Sequence, residues 1–226
     1  EAFVETLVPL ASNQAWAESL DLNAAVRLTN YSTSGTVTTW KVGLTYSPFS
    51  DLRFRLTKSR DIRAPNLGDL FSGGDAASTL VVDPSTNQAV SAVVDSQGNP
   101  NLDPEESDAF GFGFVYQPSF LPGFATSVDY WSFDIESSID QFGVQRIIDL
   151  CYQGNASFCS AINDSQPLHS GQGANPNSVK VQPFNLNTQS ASGADIEMSY
   201  QTPMSLFNDS WSGGLTMRVF DCNSPE

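Results

Sequence analysis

Adjacent carboxylates at Glu105 and Glu106, a Cys-x7-Cys pair at Cys151 and Cys159, and arginines at Arg53, Arg55 and Arg63 are the residues here with the most chemical potential. A glycosidase needs its two carboxyl groups on either side of one bond. Neighbouring residues on a strand point to opposite faces, so Glu105 and Glu106 cannot flank a single bond. The cysteine pair lacks partners for a metal site, since the only histidine, His169, lies ten residues further on in a polar stretch. A loop disulfide between Cys151 and Cys159 is the better reading, and it implies an oxidising compartment. Cys222 has no evident partner. Asn30-Tyr31-Ser32, Asn155-Ala156-Ser157, Asn163-Asp164-Ser165 and Asn208-Asp209-Ser210 match glycosylation acceptors, as an Asn- and Ser-rich chain will by chance. There is no phosphate loop, dinucleotide fingerprint, nucleophile elbow or zinc spacing. No covalent chemistry and no cofactor are expected.

The arginines must be positioned by the stretch Trp40 to Phe71, which reads as two amphipathic strands joined by Ser-Pro-Phe-Ser-Asp and halted at Arg63-Ala64-Pro65. Val42, Leu44 and Tyr46 alternate with Lys41, Gly43, Thr45 and Ser47; Leu52, Phe54 and Leu56 alternate with Arg53, Arg55 and Thr57. Period-two alternation gives one greasy face and one charged, hydroxylic face. Soluble sheets show it too. Alternation over roughly ten residues, with tight turns at one end and long polar loops at the other, favours a bilayer-spanning barrel wall. A charge facing lipid costs about 2–4 kcal/mol at the midplane, which places Arg53 and Arg55 on a wet lumen face. Pro65 turns the chain off the wall and leaves Arg63 near its rim, within reach of Asp61 or Asp69.

Composition agrees. The chain has 226 residues, 40% hydrophobic and 15% charged, too apolar for disorder and low in charge against a typical value of about 25%. Aromatic residues, at 11%, suit strands and membrane-interface girdles. No run reaches the roughly 18 apolar residues of a spanning helix, so any membrane contact is made by strands. A net charge of −15 argues against nucleic acid as a partner. Seven of the ten basic residues fall between Arg27 and Arg63, and the acids that follow, such as Asp69, Asp83, Asp103 and Glu105, lie mostly in loops. Residue 1 is Glu with no leader pattern after it, so a leader has been removed or the chain begins inside a longer protein.

Eight strands are predicted. They cover 1–10, 20–31, 36–47, 52–63, a stretch from about 105 to 117, the segment after the 118–123 turn, part of 179–202, and 211–220. A small hairpin is expected at 79–95 inside the long connection 64–103. Helical spacing of Val144, Ile147, Ile148 and the Leu150/Cys151 pair marks a short helix at 140–150. Alternation fails near Trp131 and Phe133, so that strand's outward face is not assigned. Short connections after residues 10, 47, 118 and 202, against long ones at 64–103 and 138–178, segregate turn lengths to opposite rims, as in outer-membrane barrels.

These blocks resemble the C-terminal half of a TonB-dependent outer-membrane receptor barrel. The match runs through FVETLVPL, AVRLTNYSTSG, KVGLTYSPFSDLRFRLTKSRDIRAPNLGDLF, NPNLDPEESDAFGFGFVYQP, SVDYWSFDIESSI and NLNTQSASGADIEMSY. Its specific part is Arg63-Ala64-Pro65-Asn66-Leu67 paired with Asn99-Pro100-Asn101-Leu102-Asp103-Pro104-Glu105. The resemblance implies an all-β, antiparallel up-and-down transmembrane barrel segment with long extracellular loops. It makes residues 1–226 a partial barrel, without the plug domain and the terminal strands. It further implies a bacterial outer-membrane receptor for energised uptake of a scarce nutrient, such as a siderophore-iron complex, cobalamin or a glycan. Partners would be outer-membrane lipid, the protein's own plug, a periplasmic TonB-type coupling protein acting through that plug, and a small-molecule or glycan ligand. Arg53, Arg55 and Arg63 would then face the lumen or plug. Two other readings stay open: a complete small eight-stranded outer-membrane barrel, and a secreted soluble β-sandwich that binds carbohydrate.

Overall fold

A computed structural model describes residues 1–162, 177–185, 188–206, 208 and 210–223. The chain divides into two compact units, Glu1–Ile62 with Glu106–Glu136 and Thr188–Glu226, and Arg63–Glu105 with Ser137–Asn187.

The first unit is an eight-stranded antiparallel sheet of β1 (Ala2–Gln14), β2 (Ala17–Tyr31), β3 (Gly35–Phe49), β4 (Leu52–Arg63), β7 (Glu105–Tyr116), β8 (Phe124–Glu136), β12 (Gln189–Pro203) and β13 (Gly214–Asn223), in that order across the sheet. The sheet is open, with β1 and β13 at its edges. Several strands run longer than their sequence pattern suggests. Strand β1 does not stop at Pro9: its register shifts between Pro9 and Ala11, and pairing then continues to Gln14. A bulge at an edge strand tolerates a proline that a central strand would not. At the other edge, pairing reaches Asn223, so Asp221 and Cys222 extend the last strand past the limit of residue 220 read from the sequence.

Register decides the faces. Leu22, Leu44 and Leu56 lie in one row, as do Val4, Val26 and Trp40; Phe112 stands opposite Tyr130, and Ile196 opposite Val128. On β13 the same face carries Leu215, Met217 and Val219. Tyr46 and Phe112 both stack on Phe54, at 6.3 and 6.4 Å between ring centres. This apolar face has no protein cover: Val26, Val42 and Phe112 remain 46%, 43% and 46% exposed, and Val219 64%. Strand β8 is now assigned, with Tyr130 on the apolar face and Trp131 and Phe133 on the other. Among the described residues, the only buried hydrophobic side chain in this unit is Ala17.

The turns after β1, β3, β7 and β12 close hairpins at one end of the sheet, and their tips carry exposed Trp16, Phe49, Phe120, Leu206 and Trp211. The short turn between Tyr31 of β2 and Gly35 of β3 closes at the other end, so short connections are not confined to one rim as the sequence pattern suggested. Asp51 joins two tips, accepting the Ser119 N–H at 2.7 Å, and that bond holds its carboxyl below the ordinary value.

The second unit has a core of its own. Strands β5 (Gly73–Asp83) and β6 (Gln88–Gln97) form the expected hairpin in a longer version, and β10 (Asn177–Val181) adds to β6 in parallel. The predicted helix is α2 (Val144–Tyr152), shifted a few residues onward, and a short α3 (Ala156–Cys159) follows it. Helix α1 (Leu67–Phe71) and the small pair β9 (Ile139–Gln141) with β11 (Pro183–Asn185) were not foreseen. Ile147, Ile148 and Cys151 on α2 pack with Val81, Val90, Ala92, Ile162 and Val179. Gln145 caps the edge of β5, accepting the Val82 N–H at 2.8 Å and donating to its carbonyl at 2.9 Å. The buried Asp83 is raised by desolvation, but the Ser85 N–H and the Ser85, Thr86 and Tyr152 hydroxyls outweigh that and hold its carboxyl below the ordinary value. Cys151 and Cys159 are joined as a disulfide. His169 and Asn163-Asp164-Ser165 lie outside the described residues.

Two outcomes follow from these surfaces. Phe112→Arg will destabilise the protein folded in lipid vesicles by about 2–4 kcal/mol, read from urea titration of lipid-inserted protein, and Thr57→Arg on the opposite face will cost far less. Cys159→Ser opens a loop with a sequence separation of 8; the chain-entropy model puts the loss at about 2–3 kcal/mol for the second unit, visible as faster proteolysis within 137–162.

Candidate functional site

One group of charges on the wall's polar face lies near the turn end, and another, with Arg27, Lys41 and Asp61, lies further along the strands. Asp129 on β8 stands opposite Gly113 on β7, yet it bonds to Arg55 on β4, one strand further away. The pair is bidentate, Arg55 Nε donating to Oδ1 at 2.8 Å and Nη2 to Oδ2 at 2.5 Å. Gly113 makes this possible, because a Cβ there would collide with the Asp129 carboxylate. Only a glycine on the middle strand lets the carboxylate lie across it. On the next strands Arg218 donates to Glu197 at 2.5 Å. Arg53 has no ion-pair partner among the described residues and is exposed. The two arginines of the sequence motif therefore differ: Arg55 is engaged within the wall, and Arg53 has no ion pair among the described residues.

At the opposite end of the strands a second tier of pairs closes the wall. Arg60 donates to Asp108 at 2.8 and 2.6 Å and lies 3.2 Å from Glu106. By alternation Arg60 shares a face with Phe54, Leu56 and Lys58, and the register sets it opposite Trp40, toward the long-connection end of β4.

In the second unit, Arg63 clasps Glu105 through two bonds of 2.6 Å. Asp69, not Asp61, is its further acidic neighbour, at 3.7 Å. Glu105 also accepts the Ile139 N–H at 2.5 Å. Asp69 in turn closes a capping box with Asn66 at the start of α1, so the Arg-Ala-Pro-Asn motif both turns the chain and anchors it. Asn185 ties three segments together, donating to the carbonyls of Asp103 at 2.8 Å and Ser137 at 2.7 Å and accepting the Asp103 N–H at 2.9 Å. Beside this knot is a polar hollow of about 380 Å³ lined by Asp69, Ser72, Gln97, Asp140, Gln141 and Pro183 among others. Its hydrogen-bonding groups can hold a polar ligand; among the described residues no cluster of His, Cys, Asp and Glu can hold a metal ion.

Sequence reasoning reached Arg53, Arg55, Arg63 and the cysteine pair but missed Arg60, Asp108, Asp129 and Asn185. One signal was present. Arg60 and Arg63 are three apart, as are Glu105 and Asp108 on an antiparallel strand, so a single register joins both pairs. Asp129 gave no such sign, because its partner lies two strands away. Cys222, for which no partner was evident, points its Sγ to Asp195 Oδ1 at 2.8 Å.

Gly113→Leu will break the Arg55–Asp129 bridge by occupying its path. The expected result is a stability loss exceeding that of Asp129→Asn, measured by chemical denaturation in detergent; equal losses would show that the glycine has no such role.

A family model described as TonB dependent receptor-like, beta-barrel matches residues 2–223. No curated protein matches the sequence. Among solved structures, the siderophore receptor PirA from Pseudomonas aeruginosa superposes with a TM-score of 0.58 at 16% identity, over 98% of this chain and 34% of that one. PirA from Acinetobacter baumannii gives 0.59 at 17%, over 88% and 25%. A mutant of the ferric enterobactin receptor PfeA from P. aeruginosa gives 0.55 at 15%, over 89% and 24%. At such identities the likeness is one of fold, and this chain spans about a quarter to a third of the matched structures. Strand order, a bare apolar face and a family match along nearly its whole length agree: the chain belongs to the TonB-dependent receptor-like β-barrel family.

Proposed function

We propose that this chain is part of the wall and external loops of an outer-membrane receptor that takes up a scarce nutrient, of the siderophore-iron, cobalamin or glycan class. The observation that carries the reading is the sidedness of the wall, one face apolar and uncovered, the other charged and paired. The apolar face meets outer-membrane lipid and the polar face lines a wet lumen. In the whole protein a plug domain fills that lumen, and a periplasmic TonB-type protein draws energy from the inner membrane to move it. Arg53, a cation of the polar face without an ion-pair partner among the described residues, is the wall's contact for a plug carboxylate. Residues 64–103 and 138–178 supply the ligand-capturing loops. That solved relatives of this fold are named as siderophore receptors supports the iron-chelate class above the other two.

The intact protein expressed in its cell will fractionate with the outer membrane and require detergent for extraction. Its deletion will abolish accumulation of radiolabelled iron from at least one chelate, and collapsing the proton gradient will have the same effect. Recovery as a soluble monomer that unfolds cooperatively in plain buffer would instead establish the carbohydrate-binding sandwich.

A further inference from the structure

The polar face carries one plot without charge. Trp131 stands between Gly111 on β7 and Gly193 on β12, and Phe133 between Ala109 and Ala191. The two rings are nearly parallel, 11° apart in plane and 5.7 Å between centres. With Thr57, Ala109 and Gly111 they line an apolar hollow of about 480 Å³. Its small neighbours are too short to cover the rings from the side. Position 111 shows this directly, since a Cβ there would meet nothing nearer than the Tyr130 carbonyl oxygen at 3.9 Å.

What fills the hollow is limited by charge and hydrogen bonding. Along β8, Ser127 and Asp129 lie nearer the short turn, and Trp131 and Phe133 nearer the long connection. The face carries charges on other rows, Arg55 with Asp129 and Asp195 on the row next to Trp131, and Lys41, Asp61, Glu197 and Arg218 further off. None of them lines the hollow, whose polar residues are Thr57 and Ser132. An ionised group would lose its hydration there without a partner. A polypeptide segment would bring N–H and C=O groups with almost nothing to pair them. A flat ring brings neither difficulty and gains by stacking.

We propose that the hollow is a stacking site for a planar aromatic ring of the transported ligand, held against Trp131 and Phe133. The proposal rests on the transporter reading and adds the chemistry of its substrate. Binding to the intact receptor in detergent is measured by fluorescence titration with three probes: ferric tris(2,3-dihydroxybenzoate), haemin, and an aliphatic ferric trihydroxamate without rings. At least one aromatic probe will bind. Gly111→Leu, which fills the hollow without striking the wall, and Trp131→Ala will each weaken it about tenfold at most, the scale of one aromatic contact. Trp131→Phe will restore most of the loss, and any binding of the trihydroxamate will be unchanged. The proposal falls if neither aromatic probe binds, if both variants bind it as the parent does, or if the trihydroxamate loses as much. It falls also if Gly111→Leu instead exposes the plug to protease, which would make the hollow a polypeptide contact. Uptake of a chelate in cells that is unchanged by Gly111→Leu and by Trp131→Ala would leave the transporter reading standing while removing this one.

Discussion

An eight-stranded sheet whose single buried hydrophobic residue, among those described, is Ala17 is not stabilised by a core of its own. Everything in the wall follows from that deficit. Its Val, Leu and Phe side chains are ordered in rows by strand register, yet they are turned toward nothing in the protein. In water such a face would be a large contiguous apolar patch, far beyond what soluble monomers expose. In hydrocarbon the same face is neutral or favourable, and the demand shifts to the backbone, whose N–H and C=O groups the antiparallel ladders satisfy. Charge on the apolar side is met at Lys58, opposite Val42, and then at Arg60, Asp108 and Glu106.

The second unit solves the opposite problem. Its strands are short and its connections long, so chain entropy weighs more heavily on each ordered residue. It answers with a conventional interior, Ile147, Ile148, Val81 and Val179 sealed together, and with a disulfide that ties α2 to α3. Side-chain amides do the rest. Gln145 takes up the edge of β5 and Asn185 joins three separate segments, each satisfying backbone groups that no ladder reaches.

The wall was legible because period two is a strong signal when sustained. Strands β2, β3 and β4 were readable to within a few residues, since Leu22 to Leu28, Val42 to Tyr46 and Leu52 to Leu56 keep strict alternation. Strand β8 defeated the pattern because it is aromatic on both faces: Tyr130 looks one way, Trp131 and Phe133 the other. Only pairing with Phe112 and Gly111 separates them. The loop unit was half legible. Helix α2 announced itself by its buried stripe, but α1 is five residues long and is held by a cap, not by periodicity. Of the site, Arg63 was placed correctly at a turn, while its partner Glu105 was first considered for chemistry it does not perform here. Paired and hydrogen-bonded on two sides, that carboxylate is a fastening.

Glycine is the residue that turns this wall from a partition into a surface with places on it. Gly113 and Gly111 are two residues apart on the same face of β7, and each removes one side chain from the middle of a three-strand row. At Gly113 the space is taken by the Asp129 carboxylate on its way to Arg55. At Gly111 nothing takes it. The same sequence device, in the short run Phe110-Gly111-Phe112-Gly113-Phe114, thus yields a filled notch and an open one. The difference lies in what stands opposite: an aspartate can reach across and find a cation, whereas a tryptophan cannot, and its ring is left presenting a face. An apolar opening on a polar face is disfavoured in water, so its presence beside the paired charges of Arg55 and Asp129 argues for an occupant of matching shape.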